Sequence, residues 1–221
     1  RLSSGREKCA FFCISSDQDS TFDFLSSLFF SFLFIKLVRY ADAEGVDGKL
    51  PIGVNFVLDE FPNLGVINDF KKKISTVRSR NIGISVIFQN IAQLKNRYPN
   101  DEYLEILGNC DTQIALGCTD EVTARFISNR TGEVTIDVNS QSKQLHAMRM
   151  TDYTPEYRET NSVGRRKLMT ADEVLRMPLD EALIILRGQN VFKVKKFDYT
   201  RHPESRKLKK CKAAAYIPVC N

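Results

Sequence analysis

Apolar positions along the chain fall into short runs separated by polar, turn-forming stretches. Residues 10–15 (AFFCIS) make the first run, and its length and character predict a buried strand. Asp17, Asp19 and Ser20 follow, and Asp19 or Ser20 can cap a helix. That helix is predicted over residues 21–41, with an uncharged centre at 24–35 bracketed by Asp23 and Lys36. A bilayer span needs roughly 20 apolar residues, so the stretch reads as a core helix packed on a sheet. Gly45, Gly48 and Pro51 mark a loop. Val54, Phe56, Val57 and Leu58 then form a run expected of a strand buried on both faces of a parallel sheet. In residues 67–80, Ile67, Phe70, Ile74 and Val77 keep helical spacing while Lys71, Lys72, Lys73, Arg78 and Arg80 take other faces. For the lysines a solvated surface is the simpler reading. A second β-branched strand is predicted at 84–88 (ISVIF). Strand, helix and strand make a right-handed crossover, so the two strands should be parallel.

Downstream, helices are predicted at 91–97 and 101–107, and a strand at 112–116 closed by Gly117. Another helix covers 120–129, capped by Thr119 or Asp120 and stopped near Gly132. The alternation predicts an α/β fold. From 133 to 166 apolar runs vanish, which predicts an extended hairpin or partly ordered loop at a subunit surface. Residues 170–176 make a short helix with Thr170 as cap and Glu173 as box partner. Strands at 182–186 and 191–197, joined by Gly188-Gln189-Asn190, predict a C-terminal β-hairpin with an edge strand. One domain is therefore expected over 1–200. The Lys- and Arg-rich tail from 201 onward reads as a disordered, solvated extension rather than a DNA-binding arm.

Chemistry concentrates where the 54–58 strand ends. Asp59 and Glu60 follow it directly, and Pro62, Asn63 and Gly65 turn the chain. Two carboxylates at the C-terminal edge of a parallel sheet are placed to meet a ligand or metal. The alternative is a strand that exits into solvent through acidic residues. Gln89 ends the next strand, and parallel pairing would bring it to the same edge. There it can orient a water or sense a γ-phosphate, or simply cap the following helix. In nucleotide hydrolases this pattern is the Walker B strand, its Asp holding magnesium and the adjacent acid orienting water. No GxxxxGK[ST] loop is present in the 221 residues, and that loop is what cradles the phosphates. With Arg1 in place of an initiator Met, the expectation is a piece of a longer protein whose P-loop lies upstream.

Composition narrows the rest. Apolar residues are 43%, charged residues 27% and the net charge is +5, as in a mildly basic globular protein. None of the six cysteines forms a CxxC pair, and Cys13, Cys110 and Cys118 beside apolar runs predict buried free thiols in a reducing compartment. His146 and His202 stand apart, with no nucleophile or metal cluster around them.

The chain resembles the TraG/TraD-like coupling proteins of conjugation and type IV secretion, and more distantly the FtsK-type DNA pumps. The resemblance runs to about His202 through AFFCIS, VNFVLDEFPNLG, ISTVRSRNIGISVIFQNIAQL, ILGNCDTQIALGCTD, TARFISNRTGEVT, RKLMTADEVLRMP and ILRGQNVFKVKKFDYTRHP. It implies a RecA-like P-loop NTPase core, here lacking the P-loop segment and an all-α insertion. It also implies a hexameric ATPase that uses ATP and Mg²⁺, anchored by an absent N-terminal segment to the cytoplasmic face of the inner membrane. Such a ring drives single-stranded DNA with its relaxase toward the secretion channel. Carried over by position, Asp59 is the magnesium-shell acid, Glu60 the general base or water-orienting acid, and Gln89 the sensor. Arg78 is the arginine finger, with Arg80 as fallback. Asn90 follows Gln89 where many relatives carry Ser. By itself the chain is expected to be inactive and to bind ATP weakly. The competing function is a non-catalytic docking domain for relaxase or channel components, motivated by the missing P-loop and the polar 133–166 segment. DNA contacts are expected on phosphates without base reading.

Overall fold

The computed structural model describes residues 8–14, 20–144 and 156–209. A 3₁₀ turn at Ser20–Phe22 leads into helix α1 (Asp23–Glu44). Phe22 holds the N-cap position and makes no side-chain cap bond, so Ser20 joins the turn instead of capping, and Asp19 lies outside the described residues. One face of α1 is the core face that was predicted. Phe30, Phe34 and Ala41 are buried, and the Phe34 ring lies 4.4 Å from Phe56 and 6.2 Å from Phe70. The opposite face stays apolar and exposed at Phe24, Leu28 and Phe32. With 22 residues, α1 is long and apolar enough to cross a membrane by length and composition alone.

Strands β1 (Val54–Leu58) and β2 (Ile82–Val86) pair in parallel, Val54 opposite Ile82 and Leu58 opposite Val86. The crossover between them carries α2 (Phe70–Thr76) and a 3₁₀ turn at Val77–Arg80. The helix is shorter than predicted because Asp69 takes φ +54, a left-handed conformation that interrupts the chain before Phe70. Ile67, Phe70, Ile74 and Val77 are nonetheless all buried.

Two expectations about this layer are corrected. Burial of β1 is one-sided: Leu58 is 2% exposed but Val57 is 68% exposed. The core cluster gathers Phe56, Leu58 and Ile82 with residues of α1 and α2 on one face, while Asn55, Val57, Gly83 and Ser85 on the other face are exposed. Residues 10–14, expected as a strand, have no regular structure, and Phe11, Phe12 and Ile14 are exposed along with Cys9 and Cys13. An apolar run becomes a strand only where a ladder partner takes its N–H and C=O groups, and none of the described strands pairs with it. Ser15 and Asp17 lie outside the described residues.

Helices α3 (Ile91–Arg97) and α4 (Glu102–Gly108) complete the first core. Strand β3 (Thr112–Ala115) does not extend the parallel pair. It runs antiparallel to β6 (Glu181–Leu186), which pairs in turn with β7 (Phe192–Lys195) as the predicted edge hairpin. Parallel pairing among the described strands is thus confined to β1 and β2. A four-residue run carries no mark of which sheet it joins; here Ala115 lies opposite Leu183 of β6, which is fully buried. Helix α5 (Glu121–Thr131) starts at Asp120, whose side chain accepts from Thr123 N–H at 2.8 Å, and ends at Gly132 with φ +83. Helix α6 (Ala171–Leu175) opens on the predicted Thr170–Glu173 capping box, with Thr170 N–H donating to Glu173 at 2.8 Å. Ala124, Ile127, Val174 and Leu183 make a second core cluster.

The predicted hairpin is an antiparallel ribbon of β4 (Glu133–Gln144) and β5 (Glu156–Lys167). The basic stretch expected as disordered begins instead with 3₁₀ turns at Tyr199–Arg201 and Pro203–Lys207. Asp198 and His202 side chains cap these turns, accepting from Thr200 N–H at 2.9 Å and Glu204 N–H at 3.2 Å. His146, Cys211 and Cys220 lie outside the described residues. Cys110 and Cys118 are half-buried free thiols, and burial pushes both up from the ordinary thiol range.

Candidate functional site

The β1–β2 ladder continues past Leu58 in an irregular way. Ile87 N–H donates to Leu58 O at 3.0 Å, and Phe61 N–H donates back to Ile87 O at 2.9 Å. Asp59 and Glu60 are therefore looped out of the ladder between two bonded residues, a bulge that aims side chains away from the sheet. Glu60 takes φ +50 and ψ +42. A non-glycine residue in that region stores strain, and such strain persists only where its surroundings hold it. Here Phe61, fully buried, and Pro62 anchor the following 3₁₀ turn (Phe61–Leu64), and Asn63 N–H donates to Glu60 O at 2.7 Å.

Both oxygens of the Glu60 carboxylate are engaged. Gln89 Nε2 donates to Oε1 at 2.9 Å, and Asn63 Nδ2 donates to Oε2 at 3.1 Å. The strand ends thus bring together Glu60 and Gln89, distant in sequence, at one rim. Asp59 lies beside them, exposed, with Oδ1 accepting from Glu60 N–H at 3.1 Å. Among the described residues no group of three or more His, Cys, Asp or Glu can hold a metal. Asp59 still suits a hard cation that takes one carboxylate and completes its shell with water and phosphate oxygens, the habit of Mg²⁺. Gln89 does not cap the next helix. Asn90 does, its side chain accepting from Gln93 N–H at 2.7 Å.

Sequence reasoning had Asn63 only as a turn residue and passed over Gln93. Gln93 Nε2 donates to Asn63 Oδ1 at 3.2 Å, and Gln93 Oε1 is buried without a hydrogen-bond partner. The available signal was polar spacing: Asn63 follows Glu60 by three positions in a turn, and Gln93 follows Gln89 by four at a helix start.

The two arginines do not join this rim. They lie in the 3₁₀ turn that enters β2, at the N-terminal edge of the parallel pair, whereas Glu60 and Gln89 follow the strands' C-terminal ends. Arg80 is held inside the chain, with Nε and Nη2 on the two Asp42 oxygens at 2.9 and 3.3 Å and Nη1 on Thr76 O at 3.0 Å. Arg78 is 78% exposed and pairs with Asp111 at 2.6 Å, a carboxylate shared with Arg187 at 3.2 Å. It lines a groove of about 460 Å³ with Lys49, Ser75, Ser79 and Asn81.

Comparison with known proteins supplies the context for this edge. A family model described as type IV secretory system conjugative DNA transfer matches residues 4–217. The chain belongs to that family. It is 32% identical over 149 residues to the conjugal transfer protein TraG of Escherichia coli, covering 62% of this chain and 22% of that protein. It is 24% identical over 210 residues to protein VirD4 of Rhizobium rhizogenes, covering 95% of this chain and 30% of that protein. The chain thus spans less than a third of the length of either relative. Among solved structures it is similar to the plasmid coupling protein TrwB in complex with the non-hydrolysable ATP analogue ADPNP. There the TM-score is 0.58 at 15% identity, covering 82% of this chain and 38% of that one. TrwB in complex with ADP and Mg²⁺ gives a TM-score of 0.50 at 18% identity, covering 68% and 33%. At these identities the likeness speaks for the fold alone, an α/β core shared with TrwB, in keeping with the α/β class that the sequence predicted.

Proposed function

We propose that this chain is the Walker B-bearing part of a coupling protein that hydrolyses ATP to pump single-stranded DNA into a type IV secretion channel. The observation that carries the reading is the 2.9 Å bond between Gln89 and Glu60 at the strand ends. On this reading Glu60 orients the attacking water and takes its proton, and Gln89 holds the carboxylate and the water in register. Asp59 would hold Mg²⁺, which when bound neutralises charge on the β- and γ-phosphates. The P-loop would come from sequence outside this chain, so the chain alone does not turn over ATP.

Arg78 acts in a neighbouring subunit's site on this reading. Its exposure and its place at the edge opposite Glu60 support a contact in trans within a hexameric ring. Arg80, committed to Asp42, serves the fold. The protein works at the cytoplasmic face of the inner membrane, with relaxase and channel components as partners. DNA is gripped through phosphates, so binding weakens steeply with salt.

The experiment is ATP turnover by the full-length protein with and without single-stranded DNA. The expected result is stimulation by DNA that disappears as salt is raised. Turnover indifferent to DNA at low salt contradicts the motor and favours the docking alternative.

A further inference from the structure

We propose that Asn63 is the positioning residue for the Glu60 carboxylate, and that Gln93 fixes Asn63. The inference rests on the reading of Glu60 as the base. Donor and acceptor chemistry sets the direction of the chain of bonds. An ionised carboxylate only accepts, so Asn63 must turn its NH₂ toward Glu60 Oε2, at 3.1 Å. That leaves Asn63 Oδ1 facing Gln93, which must present its own NH₂, at 3.2 Å. Gln93 Oε1 is then the atom left buried without a partner. A buried acceptor without a donor costs free energy, and the geometry assigns that cost to holding the Asn63 amide in one orientation.

The backbone supports the same assignment. Asn63 N–H is bonded to Glu60 O at 2.7 Å, and Arg97 Nε is bonded to Pro62 O at 2.6 Å, so the peptide that leads into Asn63 is held through both its N–H and its C=O. Gln93 is fixed through its own N–H to Asn90, the residue next to Gln89. A ring therefore closes through Glu60, Gln89, Asn90, Gln93 and Asn63, joining the end of β1 to the end of β2 and the start of α3. With one amide on each oxygen, the carboxylate plane is fixed. If Asn63 is removed, Gln89 alone holds one oxygen and the plane can rotate about that bond. Misplacing a catalytic group by about 1 Å can cost up to about 10²-fold in rate.

The test uses the full-length protein and follows DNA-stimulated ATP hydrolysis in Glu60→Gln, Asn63→Ala, Gln93→Met and the Glu60→Gln/Asn63→Ala double variant. Asn63→Ala is expected to lower kcat between about tenfold and about 10²-fold with KM for ATP unchanged. Gln93→Met, which keeps the side-chain length and removes the donor, is expected to lower kcat less, again at constant KM. Adding Asn63→Ala to Glu60→Gln is expected to lower the residual rate no further, because Asn63 acts only through that carboxylate. Wild-type kcat in Asn63→Ala, or in Gln93→Met should Asn63→Ala not fold, overturns the inference. So does a full additional loss in the double variant, which marks a structural role. Wild-type activity in Glu60→Gln instead removes the reading on which it rests.

Discussion

Gln89 and Glu60, 29 positions apart, meet in a 2.9 Å hydrogen bond at the shared C-terminal rim of β1 and β2. Parallel pairing is what makes the meeting possible. Antiparallel strands would have put the two side chains at opposite rims. The register carries both strand ends to one level, and the bulge after Leu58 turns Glu60 toward Gln89.

Arg78 is expected to act across a subunit boundary. Alone, Arg78→Ala should lower kcat of the full-length protein by about 10³-fold or more. Mixing Arg78→Ala subunits with Glu60→Gln subunits should restore a fraction of the activity. In mixed rings some interfaces pair an intact Glu60 with an intact Arg78. Two inactive variants that stay inactive after mixing and subunit exchange would place Arg78 outside the trans role. Arg80→Ala should leave kcat intact and lower stability by about 1 kcal/mol, the scale of an ion pair at a partly exposed site.

Tyr98 sets an alkaline limit on stability. It is 2% exposed, stacks on Phe61 at 5.2 Å and accepts from Ile67 N–H at 3.2 Å. Burial pushes its phenol up to about 12, with the Ile67 N–H and Arg97 pulling the other way and Glu102 adding to the rise. The unfolded chain loses this proton near pH ~10. The folded protein therefore keeps a proton that the unfolded chain releases, and stability falls as pH rises from about 10 to about 12. The loss is on the order of 3 kcal/mol. Unfolding by denaturant across this window should show the slope in wild type and not in Tyr98→Phe. The variant should also be less stable at neutral pH by about 1–3 kcal/mol, because Ile67 N–H loses its acceptor. An unchanged alkaline slope in Tyr98→Phe would assign the effect to another group.

Much of this was legible in the sequence where local signals agree with the tertiary answer. The apolar run of β1 stopping at Asp59-Glu60, the amphipathic spacing from Ile67 to Val77 and the β-branched run of β2 name a crossover, and the crossover names the rim. Asp120 and Thr170 at helix starts and Gly132 at a helix end were readable for the same reason. What escaped depends on contacts that no local pattern encodes. Residues 10–14 look like a strand by composition but have no ladder partner among the described residues. Thr112–Ala115 reads as a strand without saying that its partner lies some 70 positions on, in an antiparallel sheet. Arg78 and Arg80 look alike in sequence, and tertiary contacts separate them: Arg80 is held by Asp42 and Thr76, while Arg78 stays exposed beside Asp111. Asn63 reads as a turn former until Glu60 adopts its left-handed backbone and brings the carboxylate against the amide.

The most direct measurement is the rate of DNA-stimulated ATP hydrolysis by full-length protein carrying Glu60→Gln, alongside its ATP affinity. Replacing one carboxylate oxygen by an amide keeps the size of the side chain and removes the proton acceptor. The account predicts ATP binding close to wild type and a turnover rate reduced by about 10²-fold or more. Turnover at the wild-type rate would contradict it.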